Sequence, residues 1–342
     1  MLSNKIRGYV RSASLPLIYK HSLLRKLHHP KIKTAFLEVT NKCNLRCKMC
    51  IYQKLQIKTG YMSKQLFKSC IDQLSEMGVD SLSLHFGGES LCHPEFKDFL
   101  KYVIQKRSSS GIRNINWTDN GMLFNRSIAD LVVDLKLDSI YFSLDGVGQV
   151  NDSIRLGSKY SIIEENIKYL LKKRGKAVKP VVKLLVVDCG KTEEQKRELY
   201  RNWIHLVDGI SLIPSILLDN TWENKKTISQ IHKTISPPKF CSFPLDTIAI
   251  SWDGKVTGCC LDYVFKMDLG DVTKESIKKI WEGSRFQDLR KSVLTNTFFE
   301  SSPCSGCEFW KVNFEPKEEM ILDGRAKINY GHIYRTIQRI EN

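Results

Sequence analysis

Residues 34–50 read Thr34-Ala-Phe-Leu-Glu-Val-Thr-Asn-Lys-Cys43-Asn-Leu-Arg-Cys47-Lys-Met-Cys50. An apolar, strand-like run (Thr34–Thr40) ends in a loop that holds three cysteines within eight residues. With 11 cysteines in 342 residues, this C-x3-C-x2-C spacing arises by chance in about one such chain in a hundred. Three thiolates in one short loop can hold three corners of a four-iron cluster and leave the fourth iron without a protein ligand. An open iron binds a substrate or cofactor, whereas a fully ligated cluster mostly passes electrons.

Outward from this loop the chain alternates between strand and helix. Further strand-like runs occur at Asp80–Phe86, Arg113–Thr118, Asp138–Leu144, Pro180–Asp188 and Gly209–Pro214. Helical periodicity fills the gaps. It is clearest where Leu66, Phe67, Cys70, Ile71, Leu74 and Met77 share one face, with Ser63 as N-cap and Gly78 as stop. Others run over Glu95–Lys106, Ser127–Leu135, Ile162–Lys173 and Glu193–Leu206. Six strands alternating with helices imply a parallel sheet, rolled or open. The unusual residues follow the C-terminal ends of these strands: Cys43, then Gly87-Gly88-Glu89, Thr118-Asp-Asn-Gly121, Ser143-Leu-Asp-Gly146 and Asp188-Cys-Gly190. That edge is where side chains from several parallel strands converge on a ligand. A plain β–α turn explains any single one of them; together they describe one site.

The character then changes. Residues 218–238 are polar and read as a linker. Cys241 follows, then a short hairpin (Leu245–Ser251, an Asp253-Gly254 turn, Lys255–Cys259) and two short helices (Ser276–Glu282, Arg285–Val293). Cys304-Ser-Gly-Cys307 closes the segment. Cys241, Cys259, Cys304 and Cys307 make a four-thiolate site that suits zinc or a four-iron cluster and staples a small domain. Cys260 competes with Cys259; neighbours on a strand point to opposite faces, and Cys259 is taken as the ligand. Cys70 reads as a core residue and His93 as structural, while Cys92 and Cys189 lie near the active edge.

Together, Cys43-x3-Cys47-x2-Cys50, Gly87-Gly88-Glu89, Asn120-Gly121, Ser143-Leu-Asp-Gly146 and Arg155 resemble the radical S-adenosylmethionine (SAM) superfamily. The later cysteines resemble the shortened twitch or SPASM-like auxiliary-cluster domain that follows such cores. The resemblance implies a partial (β/α)6 TIM-like barrel followed by a small α+β auxiliary domain. The divisions are a basic arm at 1–33, a core at 34–217, a linker at 218–240, an auxiliary domain at 241–315 and a tail at 316–342. It implies two 4Fe-4S clusters, with Cys43, Cys47 and Cys50 on the open one and Cys241, Cys259, Cys304 and Cys307 on the closed one. SAM would chelate the open iron. Gly87 and Gly88 would let backbone approach closely, and Glu89 or nearby carbonyls would meet its amino group. Ser143 and Arg155 would hold the carboxylate and ribose region, and Met49 would lie against the adenine. One electron would then release a 5′-deoxyadenosyl radical that removes a hydrogen atom from the substrate. An external one-electron reductant of flavodoxin or ferredoxin type is implied as partner.

Composition sets outer limits. The chain is 42% hydrophobic and 26% charged, as in a globular protein with a sizeable core. No run approaches the ~18 apolar residues of a membrane span, and no signal peptide opens the chain. Clustered cysteines in an odd number favour metal thiolates in a reducing cytoplasm. The net charge is +16, and residues 1–33 hold eight Lys or Arg with no Asp or Glu. This arm suits a membrane surface, nucleic acid or an acidic partner, or a solvated helix packed on the main domain.

Three functions compete. The first is oxidation of a small hydroxylated, sugar- or cyclitol-like compound, with the auxiliary cluster accepting the second electron. The second is radical modification of a peptide or protein, against which stands the absence of a peptide-recognition domain ahead of the core. The third, a non-enzymatic metal-thiolate module, leaves the three-cysteine loop and Gly87-Gly88-Glu89 unexplained.

Overall fold

The computed structural model describes residues 30–55, 57–107, 111–189, 191–214, 241–295, 297–298, 304–305 and 307, with three strands inside 320–339. The basic arm up to residue 29 and the linker at 218–240 lie outside the described residues.

Six strands run parallel in the expected places: β1 (Thr34–Leu37), β3 (Ser81–Ser83), β4 (Asn114–Asp119), β5 (Ser139–Ser143), β7 (Val181–Asp188) and β8 (Gly209–Pro214). They pair in chain order, β1-β3-β4-β5-β7-β8. β1 and β8 do not pair with each other, so the sheet is not closed into a full barrel. The helices between them are α1 (Lys64–Glu76), α2 (Phe96–Arg107), α3 (Arg126–Asp134), α4 (Gln149–Ile154), α5 (Tyr160–Arg174) and α6 (Glu193–Trp203). The Ser63 side chain caps α1 by accepting from Leu66 N at 3.2 Å, satisfying a donor the helix leaves open. One core layer forms where Leu82, Leu84, Ile115, Trp117, Ile140, Phe142, Val182, Leu184 and Val186 meet Phe67, Phe99, Val132, Ile167 and Trp203 of the helices.

Two features differ from the sequence-based expectation. The hairpin β9 (Thr247–Ile250) and β10 (Lys255–Thr257) does not stand apart; β9 pairs in parallel with β1, in register Phe36 with Ala249. Clamps at both ends of β1 run from Lys33 N to Asp246 O (2.8 Å) and from Glu38 N to Ile250 O (2.9 Å). The later helices, α8 (Ile277–Glu282) and α9 (Ser284–Thr295), follow a short α7 (Phe243–Asp246). They place Ile277, Ile280, Trp281 and Phe286 in the main core layer. Beyond β11 (Gly270–Asp271), which pairs with β10, the segment expected as a tail supplies β12 (Met320–Leu322), β13 (Ala326–Tyr330) and β14 (Arg335–Arg339). β14 runs antiparallel to β8, so the sheet continues past both ends of the parallel core.

Candidate active site

The cysteine loop is held from several sides. β2 (Arg46–Cys47) pairs antiparallel with β6 (Arg155–Leu156), setting Cys47 opposite Arg155. Lys48 N donates to Ile154 O at 2.9 Å, and Cys50 N to Cys47 O at 3.0 Å. Asn120 of the turn after β4 donates to Asn44 Oδ1 at 2.8 Å. Leu45 is buried, and Met49 packs against Val187 and Cys189 at the end of β7.

Gly87-Gly88-Glu89 lies directly behind this loop. A Cβ on Gly88, whose φ is +69°, would stand 2.6 Å from Asn41 C and Lys42 O. One on Gly87 would stand 2.0 Å from Tyr52 Oη. The close approach that needs glycine here is therefore to the chain's own backbone and Tyr52. Glu89 N donates to Lys42 O at 2.7 Å. The Glu89 carboxylate turns inward, accepting from Asn120 N (2.8 Å) and Leu91 N (3.3 Å). Burial and the adjacent Asp119 push it well above the usual carboxylate range.

Arg155 is also engaged. Its Nε pairs with the fully buried Asp145 at 2.7 Å, and its Nη1 points at Cys47 Sγ at 4.0 Å. Asp145 Oδ1 accepts from Val187 N at 2.6 Å, so one carboxylate fixes both the guanidinium and the end of β7. Ser143, half-buried at the end of β5, lies in register with Leu185.

Donors point at the Cys43 and Cys47 sulfurs: Leu45 N at Cys43 (3.4 Å), Asn120 Nδ2 at Cys43 (4.0 Å) and Arg155 Nη1 at Cys47 (4.0 Å). Burial raises the Cys43 thiol to about 12. Such a thiol stays protonated until a cation replaces its proton. Soft thiolates in this arrangement fit iron–sulfur ligation. None of the eleven cysteines is disulfide-bonded. Among the described residues no three Cys, His, Asp or Glu side chains converge on a single metal ion, whereas a cubane takes each thiolate on a different iron.

In the C-terminal set, burial pushes Cys241 to about 12, with Cys307 and Cys304 adding to it. Cys259 and Cys260 are both raised by burial, with Cys241 and Cys307 within electrostatic reach of each. Leu261 N donates to Cys259 Sγ at 3.4 Å, as Leu45 N does to Cys43. Cys260 packs instead beside Phe86, Ala249 and Phe265.

Between the two cysteine sets lies Glu38, whose signal in the sequence is a carboxylate inside an apolar strand. It is 2% exposed. It accepts from Tyr52 Oη (3.0 Å), Gly87 N (3.2 Å) and Trp252 N (3.5 Å). Tyr52 Oη also reaches Tyr263 O at 3.1 Å, which links the segment after Cys50 to the segment after Cys260. Cys70 is buried in the core, and His93 bonds Met62 O and Glu95 N; both are structural.

The sheet face away from the helices is polar over β3, β4 and β5, while Phe36 on β1 and Val181, Leu185 and Val187 on β7 make its flanks apolar. Ser83, Asn116 and Ser139 are in register, as are Thr118, Tyr141, Lys183 and Gly209, and then Ser143, Leu185 and Ser211. Parallel sheets normally bury apolar residues on both faces, so a face carrying the buried hydroxyls and amide of Ser83, Asn116, Ser139 and Ser211 departs from that pattern. This pattern is readable as alternation within the strands, although the sequence does not say that the polar rows align.

Residues 37–202 match the radical SAM superfamily, and residues 241–308 an iron–sulfur cluster-binding domain known as SPASM. The chain is 27% identical, over 327 residues, to a cofactor-modifying protein of tungsten-containing aldehyde ferredoxin oxidoreductase from Pyrococcus furiosus. That match covers 82% of this chain and 90% of the relative. Among solved structures, Streptococcus suis SuiB bound to its precursor peptide SuiA superposes with a TM-score of 0.64 at 15% identity, over 87% of this chain and 75% of SuiB. The enzyme anSMEcpe with bound AdoMet gives 0.62 at 17%, over 82% and 84%. At these identities the likeness is one of fold.

Proposed function

Because the chain belongs to the radical SAM superfamily and carries a C-terminal iron–sulfur cluster-binding domain, we propose that it oxidises a small hydroxylated molecule by hydrogen-atom abstraction. The observation that carries this reading is the row of hydroxyl and amide side chains on β3, β4 and β5, on the sheet face under the cysteine loop. Its hydroxyl and amide groups suit a ligand rich in hydroxyls.

When bound, a cluster on Cys43, Cys47 and Cys50 would supply the electron that cleaves SAM, and one on Cys241, Cys259, Cys304 and Cys307 a place for the substrate's electron. The chain's own residues prepare the site. Leu45 N and the Arg155 guanidinium stabilise thiolate sulfurs, and Asp145 fixes the guanidinium. Glu89 clasps the turns after β3 and β4, which leaves nearby carbonyls to receive the SAM amino group. Ser143 faces the same space as a hydroxyl donor, and Met49 supplies an apolar surface for the adenine. Cys259 is preferred to Cys260 as ligand because a backbone N–H already points at its sulfur.

A second reading, modification of a larger cofactor or a peptide, draws on the name of the Pyrococcus furiosus relative and on the fold shared with SuiB. Anaerobically loaded protein should hold about eight irons and release 5′-deoxyadenosine on reduction with SAM. Cys43→Ala should abolish that release. The double variant Cys304→Ala/Cys307→Ala should keep some SAM cleavage while losing product from a sugar- or cyclitol-class substrate. Zinc without iron, or no cleavage by reduced protein, would sink the proposal; turnover of a peptide in preference to polyols would favour the second reading.

A further inference from the structure

The polar face carries a cation, Lys183, that no carboxylate meets among the described residues. Val182 and Leu184 are fully buried in the layer between sheet and helices, so Lys183 points the other way. Further along its own face, Val187 packs against Met49 of the cysteine loop. Lys183 therefore looks into the space beneath that loop, four residues or about 13 Å down the strand. Tyr141 lies beside it in register on β5, with Thr118 beyond on β4; on β8 its partner is Gly209, which adds no side chain. The half-buried Lys183 makes no hydrogen bond or ion pair among the described residues. Of the other cations drawn into the parallel core, Arg107, Arg155 and Arg174 each meet a carboxylate, and the buried Lys191 donates to Val187 O and Cys189 Sγ. An ammonium held in a partly dry site without a counter-charge costs stability.

We infer that Lys183 receives an anionic group of the substrate, a phosphate or a carboxylate. This rests on the small-molecule reading above and narrows it to hydroxylated acids or phosphate esters. The Tyr141 hydroxyl accepts from Ser139 Oγ at 3.4 Å and keeps its own proton to donate. Thr118 offers a further hydroxyl. With its acidic end on this row, the hydroxylated remainder of the substrate extends toward Ser143 and the cysteine loop.

Inorganic phosphate and acetate, titrated into the loaded full-length protein against chloride at equal ionic strength, test this. At least one of them should raise the thermal midpoint saturably. Affinity should fall about tenfold or more in Lys183→Met and survive in Lys183→Arg, as expected for a charge-assisted contact. Phosphate alone assigns a phosphate ester; acetate alone assigns a carboxylate. Wild-type protein labelled with acetic anhydride gives a second readout independent of any variant. The bound anion should slow acylation of Lys183 but not of the exposed Lys101. Equal responses of wild type and Lys183→Met, or no shielding of Lys183 by either anion, overturn the inference. SAM cleavage by the same wild-type preparation would then show that the broader function stands without it.

Discussion

Glu38 has a carboxyl buried between the cysteine loop, Gly87 and the auxiliary hairpin, and that burial pushes it up to about 7. Its ordinary value is 4.5, so both folded and unfolded chains hold the proton at lower pH. As pH rises through the window from about 4.5 to 7, the unfolded chain releases the proton and the folded chain retains it. Glu38 therefore removes stability as pH rises, by about 3 kcal/mol at most above pH 7. Glu38→Gln keeps an acceptor for Tyr52 and Gly87 but cannot ionise. Its stability relative to wild type should climb from pH 5 to pH 8, read from thermal midpoints of the loaded proteins at each pH; parallel curves would refute the assignment. The residue was legible only as an oddity, a charge in an apolar strand, because its partners Tyr52, Gly87 and Trp252 come from three separate segments. Asp145 was visible within Ser143-Leu-Asp-Gly146, but its pairing with Arg155 depends on β6 lying beside the cysteine loop.

At the scale of elements, the helices were the most legible, since their periodicity and caps are local. The structure's α5, Tyr160–Arg174, overlaps the expected Ile162–Lys173, and Ser63 caps α1 as read. The six parallel strands and the position of the three-cysteine loop were also readable. The pairing of β9 with β1 was not, because strand partners are chosen by tertiary packing rather than by local propensity. Gly60 illustrates the limit. A Cβ there would stand 2.2 Å from the Trp252 ring at the hairpin tip, a contact between segments far apart in sequence. Thr40 Oγ1 donates to Gly60 O at 2.6 Å, and Gly60 N to Asn41 Oδ1 at 2.9 Å, so the backbone cannot easily yield. Gly60→Ala should displace the indole and cost about 1–3 kcal/mol through overpacking. Adding Trp252→Ala should restore part of the loss, a coupling measurable as a double-mutant cycle in thermal or denaturant unfolding. Strictly additive effects would mean that the ring is not what Gly60 accommodates.

Across the whole molecule, one sheet connects the two cysteine sets. The loop with Cys43, Cys47 and Cys50 begins beyond the end of β1, and Cys259 lies just past β10, whose hairpin partner β9 is hydrogen-bonded to β1. The Tyr52 bridge from Glu38 to Tyr263 adds a second connection. Order in the C-terminal site should therefore be felt at β1, while β5 and β7 lie beyond β3 and β4 in the same sheet. Local stability of this kind is reported by amide hydrogen exchange. If Cys304 and Cys307 ligate a cluster as proposed, Cys304→Ala/Cys307→Ala would remove a thiolate staple from the hairpin, and exchange should quicken along β9 and β10. The Glu38 amide, which donates to Ile250 O, should lose about tenfold or more of its protection. Phe142 on β5 and Leu184 on β7 should keep theirs, because their ladder partners are untouched. Faster exchange in the hairpin with unchanged protection at β1 would mean that the parallel pairing transmits no stability. The two cysteine sets would then be neighbours in space but independent in energy.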